Sequence, residues 1–542
     1  MDEADVLIVG AGPAGLVAGI TLARYGMNTL LVEKRTALST LSRATVISTR
    51  CMEIFRSWGL EAAIGAGAAD VETCGWVTPT LVSEQGVVIE VGYPSDTDWQ
   101  ATSPTRPAWA PQDHLEPLLF QLLEQAETCE IRLGRELVEL AESDAGVVAS
   151  IRDHASGQIE PVRAQYLVGA DGAHSSVREL LGIRMEGPDA LAEYQMVQFN
   201  APLSEAQGEH RYGLNIITHP DSPGVLVARG RGDRWGYARE WRPGQERLDE
   251  CSEERLLELI TTATGVPDLR PSIERVSTFR FAAQLAETYR QGRCFLVGDA
   301  AHRMTPRGGT GMNTAIQGGY DLGWKLAWVL QGWCNQELLD TYESERRPVA
   351  AHNVARSADP DGAQNGAADA LSWDLNGRLP HRWFEQNGKT ISTLDLLSDG
   401  LTLLRSTEAS ADLSSSAIAT IAPTVTHVLN DTILRGLGLQ PGDSLLLRPT
   451  AGPGRTPHER PRRDARLGQC PGLTPGHLQC RVDNRGCRSL SQHVRALGCC
   501  SYRLEWRWPS CCTWRLPRLT GTSRTIRANS ISRCWTGTCT RS

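Results

Sequence analysis

Residues Val6 to Arg35 constrain the fold of this chain more than any other stretch. Val6 to Val9 is an unbroken apolar run, the mark of a strand buried on both faces. Gly10, Gly12 and Gly15 follow in G-x-G-x-x-G spacing, with Pro13 and Ala14 between them, and Leu16 to Tyr25 continues with helix-forming residues. A second apolar strand, Thr29 to Val32, closes on Glu33 and Lys34. The first glycine of such a unit makes a tight turn, the second lets the backbone approach a pyrophosphate, and the third allows the helix to pack closely on the strand. The helix N-terminus then offers unpaired N–H groups and a positive dipole end to the phosphates. Glu33 stands where an acid binds the ribose hydroxyls. The pattern predicts a dinucleotide site, and its place at the N-terminus favours FAD, although the motif by itself also suits NAD.

Val6 to Ala23 is uncharged and mostly apolar, long enough to raise the question of a membrane span. Asp2, Glu3 and Asp5 precede it where a signal peptide is basic, and Gly10, Gly12, Pro13 and Gly15 interrupt it. The sequence therefore reads as a soluble, cytoplasmic protein with no membrane partner.

The 542 residues carry a net charge of −8, and that figure conceals a split. Residues 451–542 hold 17 Arg, no Lys and four acids, a net of +13, whereas the first 450 residues carry −21. Nine of the 15 cysteines and four tryptophans also fall in this tail. A basic nucleic-acid arm, a cysteine-rich metal or disulfide module, and an out-of-frame translation of a GC-rich gene are the three readings. The tail has no C-x-x-C pair, its cysteine doublets Cys499–Cys500 and Cys511–Cys512 suit chelation poorly, and a basic arm without lysine is unusual. The out-of-frame reading is favoured, with its junction near Thr450, no metal site and no nucleic-acid partner.

Along the chain, helical spacing appears at 43–58, 115–128, 253–263, 314–330 and 338–355, and strand patterns at 78–92, 131–140, 147–152, 164–170 and 293–297. Several strand-like runs with turns between them mark 185–277 as sheet-rich. Residues 358–380 have the composition of a linker.

Two further motifs carry chemistry. In Tyr166–Arg178, Y-L-V-G-A-D-G-A-H-S-S-V-R, a strand delivers Asp171 and Gly172 to a turn; Ser175 and Ser176 can start a helix, and Arg178 adds positive charge. A plain strand, turn and capped helix explains that motif equally well. In Gly292–Thr314, a strand ends at Gly298–Asp299, and a loop with Gly308, Gly309 and Gly311 runs into a helix near Asn313. An acid at a strand end can bind a polyhydroxy chain, and a helix N-terminus can stabilise negative charge on a ring system.

Together the three motifs resemble the FAD-dependent aromatic hydroxylases, the para-hydroxybenzoate and phenol hydroxylase class that includes polyketide-tailoring enzymes, over Asp5 to Ala355. The resemblance implies an α/β fold. A discontinuous Rossmann-like FAD domain (1–75, 110–184, 285–357) would interleave with a substrate-binding sheet domain (76–109, 185–284). A partial thioredoxin-like domain (381–449) and the aberrant tail (450–542) would follow. It further implies that Gly10, Gly12, Pro13, Ala14, Gly15, Glu33 and Lys34 hold the pyrophosphate and adenosine ribose. Arg43 would meet the phosphates or ribityl chain, Gln112 the ribityl side, and the backbone of Val138 the adenine. Asp171, Gly172 and Arg178 would be shared between FAD and nicotinamide binding. Asp299 would bond the ribityl chain, Pro306 would lie beside the ring, and Gly311, Met312 and Asn313 would serve the flavin pyrimidine edge.

The implied reaction is hydroxylation of a phenolic or polyketide-like small molecule with NAD(P)H, a transient co-substrate, and dioxygen, by way of a flavin hydroperoxide. The enzyme would be a monomer or homodimer. A halogenase or reductase on the same fold, or a flavin-binding protein without turnover, is the alternative. Two departures stand out. Gly318 occupies a position where many members have an acid, and Gly442–Pro449, which resembles the start of a last strand region, gives way to T-A-G-P-G-R. No catalytic base is legible; His210, Tyr212, Arg229, Arg231, Tyr237 and Trp241 fall in the substrate sheet, and His302 suits local hydrogen bonding.

Overall fold

The structure is a computed structural model that describes residues 2–41, 43–92, 99–375, 377–406, 422–440 and 443–449. The arginine-, cysteine- and tryptophan-rich stretch and its junction at Thr450 lie outside the described residues.

A parallel sheet organises the N-terminal half. Its order is Cys294–Leu296, Ile159–Gly169, Asp2–Val9, Thr29–Glu33, Cys129–Leu133. Asp2–Val9 is central, so both its faces are covered: Val6, Leu7 and Ile8 are fully buried, which is why this strand is an apolar run and not an alternating one. A hairpin, Arg135–Ser143 and Gly146–Asp153, pairs onto the first half of Ile159–Gly169. Helix Pro13–Arg24 crosses from the first strand to the second and packs against helix Gly311–Leu330. Glycines permit that approach. A Cβ on Gly319 would lie 2.3 Å from the Ala14 carbonyl oxygen, and one on Gly323 would lie 2.7 Å from Thr21 Cβ.

A second sheet runs Ser272–Phe281, Ala192–Asn200, Arg234–Trp241, Gly224–Ala228, Tyr212–Ile217, Glu72–Thr78, Val87–Ile89. Glu72–Thr78 joins it in parallel to Tyr212–Ile217, and so straddles the expected boundary at 75/76. One face is dry: Val197, Tyr237 and Leu226 share a core with Leu256, Leu259 and Ile260 of helix Glu253–Thr264. Strand pleating sends Met196, Ile216 and Val225 to the other face, where they are only half-buried. A third, three-stranded sheet orders Thr424–Leu429, Leu401–Ser406 and Ser444–Leu447.

The stretch 358–380 is not a linker. It forms helices Gly362–Asn365 and Ala367–Leu375, and Asp374 of the latter hydrogen-bonds to Ser48 and Gln317. Small, polar composition resembles a linker until tertiary partners satisfy its side chains. Among the described residues, no helix is long and apolar enough to cross a membrane, and no group of His, Cys, Asp or Glu side chains could hold a metal ion.

Candidate functional site

The glycine turn is built by exclusion. Gly10 has φ +110°, and a Cβ there would sit 2.3 Å from the Ala170 carbonyl oxygen and 2.9 Å from Asp171 Cα. A Cβ on Gly15 would lie 2.0 Å from the Gly10 carbonyl oxygen, so helix Pro13–Arg24 can rest on the turn only with glycine there. Gly12 is the opposite case. It caps the helix, with Pro13 and Ala14 in the first turn, and among the described residues nothing lies within 4 Å of where its Cβ would be. Two glycines are required by protein contacts, and the third faces open space, as a backbone that must meet a ligand should.

Glu33 is anchored to this turn. Its Oε2 accepts from the Ala11 N–H at 2.9 Å and its Oε1 from the Arg35 N–H at 3.0 Å. Each oxygen keeps a further lone pair for a diol. Lys34 beside it is exposed. Val138 is the extra residue at a bulge, where the register slips between Leu137 and Glu139. Bulged backbone is free of regular ladder pairing.

The second and third motifs converge on the same turn. Ala170 and Asp171 press against Gly10, and Gly298 brings its α-carbon side to 3.0 Å from Ala14 Cβ, measured from the Cβ it lacks. Arg178 donates from its guanidinium to the Ala300 carbonyl at 3.2 Å and to the Ala173 carbonyl at 3.0 Å, joining one motif to the other. Asp171 accepts from the Ser175 hydroxyl and the Val177 N–H, so it organises the start of helix Ser176–Leu180. Burial still raises its carboxyl above the usual range. Gly172 follows with φ +81° and open space on its Cβ side.

Asp299 has the environment of a ligand-binding acid. Protein surrounds it closely enough that burial raises its carboxyl above the ordinary range, while Arg43 and Arg303 pull it down. Its side chain nevertheless remains accessible. Gln112 is held beside Arg43: its N–H donates to the Ala44 carbonyl at 2.8 Å, and its side-chain amide donates to Glu116. Burial raises the Glu116 carboxyl, opposed by Arg43 and Arg35.

Helix Gly311–Leu330 begins without a side-chain cap, and its first residues, Gly311 and Met312, are half-buried. N–H groups in a helix's first turn have no partner within the helix and are available to an acceptor. Thr305 pins the preceding loop, donating from its N–H and its hydroxyl to the hydroxyl and carbonyl oxygens of Ser357 at 3.2 and 2.7 Å. Pro306 projects, exposed. Asn313 behaves differently from Gly311 and Met312. Its side chain accepts from the Ser48 N–H and donates to the Val46 and Gly309 carbonyls, so what it directly holds is the loop.

The substrate-sheet residues are engaged with protein. His210 and Tyr212 stack on Trp76. Arg229 pairs with Glu274, Tyr237 meets Ser222 on the dry face, and Trp241 lies under Arg247. The Arg231 N–H donates to the Gly67 carbonyl. His302 is fully enclosed, and its Nδ1 has no hydrogen-bond partner among the described residues. Sequence reasoning missed Ser48, Gln317 and Asp374, which bond to one another beside Asn313. Nothing local in S-W-D-L marks Asp374, because its partners are distant in sequence.

An open Gly12, an accessible acid at Asp299 and an uncapped helix end at Gly311 are complementary to a pyrophosphate, a polyhydroxy chain and an electron-rich ring. The residues fit FAD, and fold and site together define an FAD-binding flavoprotein. The sequence model described as FAD binding domain matches residues 3–357. A putative polyketide hydroxylase of Streptomyces halstedii is 34% identical over 452 residues, covering 75% of this chain and 81% of that protein. Aklavinone 12-hydroxylase RdmE of Streptomyces purpurascens is 36% identical over 470 residues, covering 78% and 87%. Aklavinone-11 hydroxylase, solved as a ternary complex with FAD and aklavinone, superposes with a TM-score of 0.77 at 28% identity, covering 92% of this chain and 98% of that one. The chain belongs to the FAD-dependent aromatic hydroxylases of polyketide-tailoring type, and is a flavin-dependent NAD(P)H monooxygenase.

Proposed function

We propose that this protein hydroxylates a flat, polycyclic phenolic substrate of the aromatic-polyketide kind, using NAD(P)H and dioxygen, in the cytoplasm, as a monomer or homodimer. The observation that carries the proposal is the convergence of all three motifs on the Gly10–Gly15 turn, with an accessible Asp299 carboxylate following Gly298, which packs on Ala14 and on Ala315 of helix Gly311–Leu330. The relatives named as polyketide and aklavinone hydroxylases support the substrate class.

The residue roles form part of the proposal. Gly10, Gly12, Pro13, Ala14 and Gly15 hold the pyrophosphate, and Glu33 with Lys34 and the Val138 backbone hold the adenosine. Arg43, Gln112 and Asp299 hold the ribityl chain, while Gly311 and Met312 donate N–H groups to the pyrimidine edge and Pro306 abuts the ring. Asp171, Gly172 and Arg178 serve both FAD and nicotinamide. Bound there, FAD supplies electron transfer and oxygen activation. The protein binds and orients the aromatic ring and excludes water from it. The half-buried sheet face of Met196, Ile216 and Val225, beside the small residues Gly236 and Ala238, suits a flat apolar ligand.

The test is oxidation of NADPH and NADH by FAD-loaded protein against phenols and polycyclic phenolics, with the product weighed by mass spectrometry. A ring-dependent rate and a gain of one oxygen are expected. A yellow protein with no stimulated oxidation would support the non-catalytic alternative, and a product formed only with halide the halogenase.

A further inference from the structure

Asp374 lies in the helix Ala367–Leu375, beyond all three sequence motifs, yet it organises the segments that flank the flavin site. Its Oδ1 accepts from the Ser48 hydroxyl and from the Gln317 side-chain amide, both at 2.7 Å, and its Oδ2 accepts from the Arg50 N–H at 2.9 Å. Three donors converge on one carboxylate. Ser48 and Arg50 begin helix Thr49–Ser57, which is entered directly from the Arg43 segment. Ser48 in turn donates its N–H to Asn313 Oδ1 at 2.8 Å, and Asn313 donates to the carbonyls of Gly309 at 2.8 Å and Val46 at 3.0 Å. Gln317 accepts from Arg346 at 3.1 Å through its other side-chain atom. Ser48, Asn313, Gln317 and Asp374, with Gly308 and Thr310, line one small cavity.

We infer that Asp374 is a positioning residue for the flavin: through Ser48 and Asn313 it locks the Gly308–Thr310 loop to the Arg43 segment. The inference rests on the flavin-site reading above. A carboxylate accepts all three bonds with no hydrogen of its own to place. An asparagine whose oxygen accepts from Ser48 and Gln317 sets its amide against the Arg50 N–H, and one turned so that its oxygen accepts from Arg50 places its amide against that of Gln317. Gln317 must then flip and surrender Arg346, or leave a donor unpaired. Either outcome loosens the loop without removing a group that touches the flavin.

The experiment compares FAD-loaded wild type with Asp374→Asn, Ser48→Ala and, as a control on the exposed side of the same helix, Asp369→Asn. The readouts are the flavin visible spectrum, the FAD dissociation rate, the melting temperature, and NAD(P)H consumed per hydroxylated product. Asp374→Asn should shift the flavin spectrum and raise both FAD release and the NAD(P)H-to-product ratio by about tenfold, the cost of one lost charge-assisted hydrogen bond. Ser48→Ala should move them in the same direction by less, and Asp369→Asn should leave them unchanged. A lowered melting temperature with an unaltered spectrum, FAD release and ratio in both Asp374→Asn and Ser48→Ala would overturn the inference. If Asp374→Asn does not fold, Ser48→Ala decides alone on the same criteria. A wild type that binds FAD but hydroxylates nothing would defeat the functional proposal and leave the spectrum and FAD release to judge Asp374.

Discussion

Replacing Arg448 with methionine should destabilise the protein as a problem of buried charge. Lys325 Nζ is wholly buried, 2.7 Å from Asp321 Oδ2 and 2.8 Å from Glu345 Oε2, and the Arg448 guanidinium reaches the same Glu345 oxygen at 2.8 Å. The side chains of Lys325, Asp321, Glu345 and Arg448 are 0%, 3%, 1% and 9% exposed. Two acids balance two bases, and Lys325 and Arg448 also flank the Trp324 ring, 5.6 and 5.4 Å from its centroid. Methionine approximates the arginine stem but leaves a net negative charge among buried groups. Removing one partner of a buried pair costs about 3–5 kcal/mol, a large share of the roughly 5–15 kcal/mol that holds a domain folded.

Thermal unfolding at pH 7 should therefore fall by roughly 5–10 °C. Lys325 and Arg448 hold the Glu345 carboxyl below its usual range against the opposing effect of burial. Its contribution is thus present above the ordinary glutamate pKa and is lost as pH falls through the depressed folded value. The difference between variant and wild type should be largest at neutral pH and shrink in acid. Adding Glu345→Gln to Arg448→Met restores neutrality and should recover most of the loss. An Arg448→Met protein as stable as wild type, or a deficit that the double variant does not reduce, would refute the reasoning.

Gly12 and Gly15 should separate binding from folding. Gly12→Val meets no atom of the described residues within 4 Å of its Cβ, so the apoprotein should melt as wild type does while FAD affinity in a fluorescence titration falls by about 100-fold or more. Gly15→Ala drives a Cβ to 2.0 Å from the Gly10 carbonyl oxygen and should cost about 3 kcal/mol of stability or more by thermal unfolding. Burial depresses the His302 imidazole to about 3. Between that value and its unfolded pKa of about 6.5 the unfolded chain takes up a proton that the folded one does not, so acidification should erode stability by about 1.4 kcal/mol per pH unit. Denaturation across that range should show this increment in the slope, and His302→Asn should reduce the slope by that amount.

Local rules were sufficient wherever neighbours in sequence are also neighbours in space. The first βαβ unit lies where the apolar runs and glycines place it, and helix Glu253–Thr264 extends the predicted range by a single residue. The three motifs were legible because each combines a strand end, a turn and a helix start within about twenty residues, the scale of a supersecondary unit. Asn313 was legible as a member of the site but not in its role, since the Ser48 N–H and the Val46 carbonyl that occupy its side chain come from 265 and 267 residues away. Residues 358–380 misled for a related reason: helix Ala367–Leu375 is weakly patterned and is secured by Asp374 contacts that no local window contains.

The sequence by itself pointed to a dinucleotide cofactor, because glycine spacing, strand-terminal acids and helix starts encode phosphate and ribose binding in short segments, and its three motifs carried the resemblance that implied the family and the reaction type. Only the tertiary structure decided which glycine faces open space, that Asp299 is enclosed yet accessible, and that Asp374 and Arg448 complete networks around the flavin helix. Those properties depend on distances between segments hundreds of residues apart. Burial, charge balance and hydrogen-bond satisfaction arise only when the segments meet.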